Sequence, residues 1–463
     1  MSIIRCLIFT LFVCVFSAGI ANAQDFSNKG KEFWVVFPPH APTGVNTLAN
    51  LSLYISSDKN TSGHIVINGD SIRFVITAFT PQEFILPRNT TYVSGAESAT
   101  DDVASIKKIV LNKGIKVIVT EGKPGVVVYA HMYASARSAA SIILPTSVLE
   151  KKYQVISYTQ SQPTNTLANE FRRSQFSVVA VEDNTVIRIQ LRKSGQISGE
   201  PYDVALPKAG TIYSFQDSID LTGTSIESVS IDGTVCKKIA VFSGSSSVSI
   251  GNNGAGSVDP LYQQCYPINS WGLNYFITPY RGKNKFIIRV LAKEDGTKVV
   301  INGQESTLSA NQYKEVSYTN QAAFAINSNK PIAVAQYSLT QSADIGVGDP
   351  DMVILNPVEQ NINDVTVFLT PKFDISDQNI NVVIKDEGIP TFKINGQKPT
   401  STFVKIPNTN YSFLQEKFTA LNGYLSIRLT SDSGFNAFCY GFGNVESYSY
   451  SAGTNVKDLF QKL

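Results

Sequence analysis

Histidine, cysteine, tryptophan and charge are all scarce. The 463 residues hold 3 His, 5 Cys, 2 Trp and 3 Met, and 16% are Asp, Glu, Lys or Arg, against the roughly 25% usual for a globular chain. Three histidines, His40, His64 and His131, are too dispersed to announce a metal centre, which needs convergent ligands with second-shell support. A net charge of +2 with no basic block leaves nucleic acid nothing to grip. There is no G-x-S-x-G, no H-E-x-x-H and no phosphate-cradling loop. The Gly-rich run Gly251 to Gly256 follows a strand and has no helix to aim at a phosphate. No residue is therefore assigned a catalytic role, and no cofactor is required.

What is abundant is strand-forming: 43% hydrophobic residues, with 26 Phe and 20 Tyr, point to an all-β chain with polar Ser, Thr, Asn and Gln surfaces. Residues 1–23 read as a secretory signal. Arg5 supplies the positive end, Leu7 to Phe16 the apolar core and Ala21-Asn22-Ala23 the small residues before cleavage between Ala23 and Gln24. That core is short of the ~20 residues a membrane span needs, and no later stretch suits a transmembrane segment. The mature chain is expected to be secreted, periplasmic or at the cell surface. Cys6 and Cys14 lie in the leader. Of the rest, Cys236 and Cys265 would close a loop of about 30 residues if paired; the alternative is three buried thiols, Cys439 among them.

The mature chain repeats itself. The stretch Tyr275 to Gln360 shows the order most clearly: an apolar strand, an alternating strand, a turn at Glu294-Asp295-Gly296-Thr297, a strand ending at Asn302-Gly303, a further hairpin near Tyr313, the run Ile332 to Tyr337, and a return through Gly348-Asp349-Pro350-Asp351 to Pro357. The same features recur around Asn68-Gly69 and Asn395-Gly396, where Asn-Gly after an alternating run is a hairpin signal. Near-continuous apolar runs at Val127, Ile239, Ile332 and Asn436 suit strands buried on both faces. Tyr92, Tyr213, Tyr313 and Tyr411 follow turns and are expected to cover core with the ring while the hydroxyl reaches water. No linker divides the copies. The expected organisation is four strand-rich units of about 100 residues, at 24–150, 151–271, 272–362 and 363–463, each sandwich-like or all four sharing a propeller-like ring.

Acidic residues gather in loops after the buried runs: Asp259, and Asp344 with Asp349 and Asp351. Carboxylates in loops suit a calcium ion or a ligand-contacting rim; the competing reading is that Asp-Pro simply starts a turn, since no D-x-D-x-D-G spacing occurs. Asp101-Asp102 is a further loop pair, and Asn60 and Asn89 fit glycosylation sequons.

With Gly30-Lys31-Glu32-Phe33-Trp34-Val35, Asn329-Lys330-Pro331-Ile332-Ala333-Val334 and Glu446-Ser447-Tyr448-Ser449-Tyr450-Ser451-Ala452-Gly453 laid out, the chain resembles the N-terminal domain of IgG-Fc-binding proteins found in secreted proteins of Bacteroidota-type bacteria. The resemblance implies an extracellular binding or adhesion module and brings no catalytic residues. The expected function is non-enzymatic recognition of a glycan or protein partner through loops at 137–141, 244–259 and 341–351, loops on a strand scaffold being the usual place for it. The rivals are an exported carbohydrate-active enzyme, which needs two convergent carboxylates, and a structural part of an envelope assembly, which needs open sheet edges or an apolar patch.

Overall fold

Local pattern accounts for the strands. Burial alternates along Thr61–Ile67 and Ile115–Val119, and it is continuous along Val127–Ala134 and Ser174–Ala180, which face neighbours on both sides. Asn68-Gly69, Asn302-Gly303 and Asn395-Gly396 hold both residues at positive φ, the backbone of a two-residue hairpin. The computed structural model describes residues 26–40, 49–93, 108–159, 173–230, 233, 235–251, 256–319, 322–370, 372, 375–419 and 425–460. Ala23 and Gln24, which flank the expected signal cleavage, lie outside the described residues, as do Asp101, Asp102 and residues 252–255.

The first unit comprises β1 (Glu32–Val35), β2 (Asn50–Ser56), β3 (Thr61–Ile67), β4 (Asp70–Ile76), β5 (Gln82–Ile85), β6 (Lys108–Asn112), β7 (Ile115–Val119), β8 (Val127–Ala134) and β9 (Arg137–Ile143). Two sheets result, β1-β7-β3-β4 and β5-β2-β8-β9. The second comprises β10 (Lys152–Gln154), β11 (Ser174–Ala180), β12 (Thr185–Gln190), β13 (Arg192–Lys193), β14 (Gln196–Ile197), β15 (Tyr202–Leu206), β16 (Thr211–Asp217), β17 (Ser225–Ser228), β18 (Ile239–Val248) and β19 (Asp259–Gln264). Its sheets are β10-β17-β12-β15 and β19-β18-β11-β16, and β6 of the first unit extends the latter at its β16 edge.

The third unit comprises β20 (Gly272–Ile277), β21 (Lys285–Ala292), β22 (Thr297–Ile301), β23 (Gln304–Leu308), β24 (Tyr313–Thr319), β25 (Phe324–Tyr337) and β26 (Met352–Ile354). The fourth comprises β27 (Ile362–Leu369), β28 (Asp377–Lys385), β29 (Lys393–Ile394), β30 (Val404–Lys405), β31 (Tyr411–Phe418), β32 (Leu425–Gly443) and β33 (Glu446–Ser451). Here one long strand serves both sheets. The first half of β25 pairs β20 and β22, and its second half pairs β21 and β26. β32 divides in the same way between β27 with β29 and β28 with β33. The pairing order is thus one sandwich pattern written four times. Apolar side chains of both sheets share each core, as Tyr153, Phe176, Ile187 and Val241 do in the second unit.

The last strands of the units, β9, β19, β26 and β33, pack against one another around a common axis and close a four-bladed, propeller-like ring. Gln263 marks its centre. Its amide Nε2 donates to Ala140 O at 2.8 Å, Met352 O at 2.7 Å and Ser449 O at 3.1 Å, one carbonyl from each other unit. Small residues in β9 and β33 (Ser138, Ala139, Ala140, Ser447, Ser449) let the four backbones approach.

Further out, the second strand pairs of each unit are pinned to the unit before. Gln175 Nε2 donates to Pro39 O at 2.9 Å, Arg289 Nη1 to Ser157 O at 2.6 Å, and Asn381 Nδ2 to Pro279 O at 2.8 Å. Four tyrosines follow the same order: Tyr262 OH donates to Val36 O at 2.8 Å, Tyr337 OH to Ser157 O at 2.9 Å, Tyr129 OH to Ala452 O at 2.6 Å, and Tyr440 Oη accepts Arg281 N–H at 2.8 Å. The Tyr129 bond joins the first unit to the last. Lys372 beside Glu83 at 2.8 Å and the backbone bond from Asn28 N to Thr454 O reinforce that closure.

One expectation is corrected. Tyr92 and Tyr213 are wholly buried, and their hydroxyls bond protein rather than water: Tyr92 OH donates to His40 O at 3.1 Å, and Tyr213 and Tyr202 share a bond of 2.8 Å. Cys236 and Cys265 are free thiols, as is Cys439. Cys265 is held at β18 by its N–H bond to Val241 O, five positions beyond Cys236, and its thiol donates inward to Ser243 Oγ at 3.2 Å. Among the described residues no helix is long and apolar enough to cross a membrane.

Candidate functional site at one end of the ring axis

The hairpins leading into β9, β19, β26 and β33 bring four chain segments to one end of the axis. Each final strand begins with or follows a charged residue: Arg137, Asp259, the Asp349–Asp351 pair and Glu446. Asp259 bridges neighbours. Its Oδ1 accepts Ser138 N–H at 3.1 Å from β9, and its Oδ2 accepts Ser447 N–H at 3.2 Å from β33. Glu446 Oε1 accepts Ala136 N–H at 2.6 Å, and Ser447 Oγ donates to Asp349 O at 2.8 Å. Three of the four sequence-derived acids are therefore brought together, and they are buried rather than exposed on a loop rim. The physical reason is the ring: each Asp lies at or just before the start of a final strand that the adjoining units cover.

Burial dominates the electrostatics. It holds the Asp351 carboxyl well above the usual range; Oδ1 accepts its neighbour's Met352 N–H at 2.7 Å, and Oδ2 has no hydrogen-bond partner among the described residues. Asp349 is raised for the same reason, against the pull of Ser257 Oγ, which donates to its Oδ1. Burial and the Asp349 charge push Asp259 up more strongly than the Ser138 N–H pulls it down. Arg137, desolvated at the head of β9, is pushed down to about 10. Lys283 is lowered by burial, with Asp344 and Asp349 opposing, and its ammonium lies 4.8 Å from the Phe442 ring centroid.

Asp344 is apart from this cluster. It caps a turn, accepting the N–H groups of Asn284 at 3.2 Å and Lys285 at 3.0 Å. Together with Gln341, whose Oε1 accepts Gly348 N–H at 3.2 Å and Val445 N–H at 2.9 Å, it fixes the base of the 341–348 loop. Thr340 locks the same base to the β18–β19 connection, its N–H donating to Ile250 O and its Oγ1 accepting Ile250 N–H, both at 3.0 Å. From this base Ile345 and Val347 project with 51% and 42% exposure. They carry no signal in sequence beyond an apolar residue between glycines. The expected loop at 137–141 does not exist, because Arg137–Ile143 is β9; its Ser and Ala residues sit at the axis, where only small side chains fit. In 244–259, β18 runs on to Val248 and β19 starts at Asp259, so the connection is shorter than expected.

The histidines do not converge. His40 and His131 are buried apart, His131 bonded through Nε2 to Ser138 Oγ at 2.8 Å and pushed by burial to about 3. His64 pairs Ile118 in β3. Among the described residues no group of three or more His, Cys, Asp or Glu side chains is placed to hold a metal ion.

A family model described as IgGFc binding protein matches residues 139–441, well over half of the chain. The chain belongs to the IgGFc-binding family. The matched span runs from β9 through most of β32 and so contains most of the ring. No curated protein matches. Among solved structures, the major pilin protein T-13 of Streptococcus pyogenes is 8% identical, with 65% of this chain and 97% of that one covered and a TM-score of 0.13. A Ca2+-stabilized adhesin with which an Antarctic bacterium binds ice is 12% identical over 92% of this chain and 98% of that one, with a TM-score of 0.10.

Proposed function

We propose that this chain is an exported, non-enzymatic recognition module that holds a protein partner on the axial loops. The observation that carries the reading is the 341–348 loop. Two half-exposed aliphatic side chains, Ile345 and Val347, stand on a base fixed by Asp344, Gln341 and Thr340. Apolar anchors on a preorganised loop avoid the ordering cost that weakens flexible contacts. Membership of a binding-protein family supports the same reading. The axial carboxylates suit structure better than hydrolysis: Asp259, Asp349 and Asp351 are shut from solvent, each accepting bonds from protein donors.

The test is binding of the purified chain to immobilised immunoglobulin Fc and to an array of extracellular proteins. A partner lost on converting Ile345 and Val347 to Asp, with unchanged melting temperature, supports the assignment. Binding that survives the double substitution refutes it.

A further inference from the structure

The first and last units meet along a seam, and the seam holds a cleft of about 200 Å³. One wall is the N-terminal segment Ser27–Lys29 with the 56–58 turn; the other is β27 at Asp364 to Thr366. Its charged groups are paired: Lys29 bonds Asp58, and Arg428 holds Asp364 through two bonds, Nε to Oδ1 at 2.9 Å and Nη2 to Oδ2 at 2.5 Å. The cleft therefore presents no net field for an anion or a cation. Among its lining residues, the buried Ser56 Oγ has no hydrogen-bond partner among the described residues. Buried polar atoms are nearly always satisfied, so a hydroxyl left open beside a cleft asks for a ligand with neutral donors and acceptors.

Phe79 stands beside the cleft, between the 56–58 turn and β32, the strand paired to β27. Its N–H donates to Ser57 O at 2.8 Å, its carbonyl accepts Ser426 Oγ at 3.3 Å, and the Arg428 guanidinium lies 5.2 Å from its ring centroid. Its φ is 59°, a left-handed conformation that bulky side chains seldom adopt, and 44% of it remains exposed. A strained, exposed aromatic held beside a polar cleft is a marker of function rather than of packing. Beyond Asp364 the surface continues as a shallow polar depression past Thr391, Lys393 and Asp432.

We propose that this seam is a saccharide-binding site, in which the Phe79 ring stacks on the C–H face of a neutral sugar and the seam's amide, hydroxyl and paired carboxylate groups bond its hydroxyls. The depression beyond Asp364 gives a path for an oligosaccharide. The site is separate from the axial loops and does not depend on what they bind.

The test is calorimetric titration of the full chain with neutral hexasaccharides of glucose, mannose, xylose and N-acetylglucosamine. At least one is expected to bind with a Kd of about 1 mM or tighter. Glycine is free of the left-handed penalty, so Phe79→Gly is expected to keep or raise the melting temperature while weakening binding about tenfold. Phe79→Trp is expected to retain binding, and Ile345→Asp with Val347→Asp to leave it unchanged. No binding to any of the four, unchanged binding in Phe79→Gly, or a seam occupied instead by an extended peptide paired to β27 overturns the proposal.

Discussion

Replacing Arg289 by Met tests how firmly one unit is pinned to the next. Arg289, in β21 of the third unit, donates through Nη1 to Asp220 Oδ2 at 2.5 Å, Ser157 O at 2.6 Å and Thr222 Oγ1 at 3.0 Å, all in the second. Its Nε donates to Glu315 at 2.8 Å, and its guanidinium lies 4.2 Å and 4.6 Å from the ring centroids of Tyr158 and Tyr313. Methionine keeps the apolar stem but strands the Asp220 carboxylate, which is 6% exposed, without its cation. Removing one partner of a buried pair costs about 3–5 kcal/mol. Losing the Glu315 contact, a third exposed, adds at most about 1 kcal/mol. A loss near 4 kcal/mol corresponds to a fall of about 4 °C in a chain of this length, because unfolding entropy grows with size. Adding Asp220→Asn removes the orphaned charge and should recover about half of the loss or more. Urea denaturation followed by circular dichroism measures both variants. A loss below about 1 kcal/mol for Arg289→Met, or no recovery in the double variant, would show that the pair does not hold the units together.

Stability should also depend on pH through the axial acids. Burial raises the folded pKa of Asp351 and Asp349 above their unfolded values, so their contribution is complete below about pH 4 and is lost as pH rises through the folded pKa. Urea midpoints should fall between pH 5 and pH 8, and Asp351→Asn should flatten that slope; a midpoint that rises equally in both proteins contradicts the assignment. The thiols should separate by burial under native labelling with iodoacetamide and mass spectrometry. Cys236, half-buried, should react, whereas Cys265, its thiol pushed by burial to about 11, and Cys439 should react only after unfolding. A disulfide between Cys236 and Cys265 would leave both unlabelled even after unfolding.

Much of the scaffold was legible in local pattern, and the rest was not for a physical reason. Asn68-Gly69, Asn302-Gly303 and Asn395-Gly396 are turns because only such residues accept left-handed backbone cheaply, and that information is carried by two neighbours. The choice between separate sandwiches and a shared ring lies in contacts such as Tyr129 with Ala452 and Ala136 with Glu446, residues more than 300 positions apart. No local periodicity encodes them, and both readings turn out to describe one architecture: sandwich-like pairs of sheets arranged in a ring. Asp259, Asp349 and Asp351 were legible as a cluster in the connections, but their burial was not, because it is supplied by the adjoining units. Gln263, Arg289 and Asn381 interrupt apolar strands and look like exceptions in sequence. They are the side chains that satisfy carbonyls across the unit boundaries.

The measurement that bears most directly on closure of the four units into one body is differential scanning calorimetry of the intact chain beside Arg289→Met. An interlocked ring predicts one endotherm, with calorimetric and van't Hoff enthalpies in agreement, that moves as a whole in the variant. Several resolved endotherms, of which the substitution displaces only those of the second and third units, would contradict it.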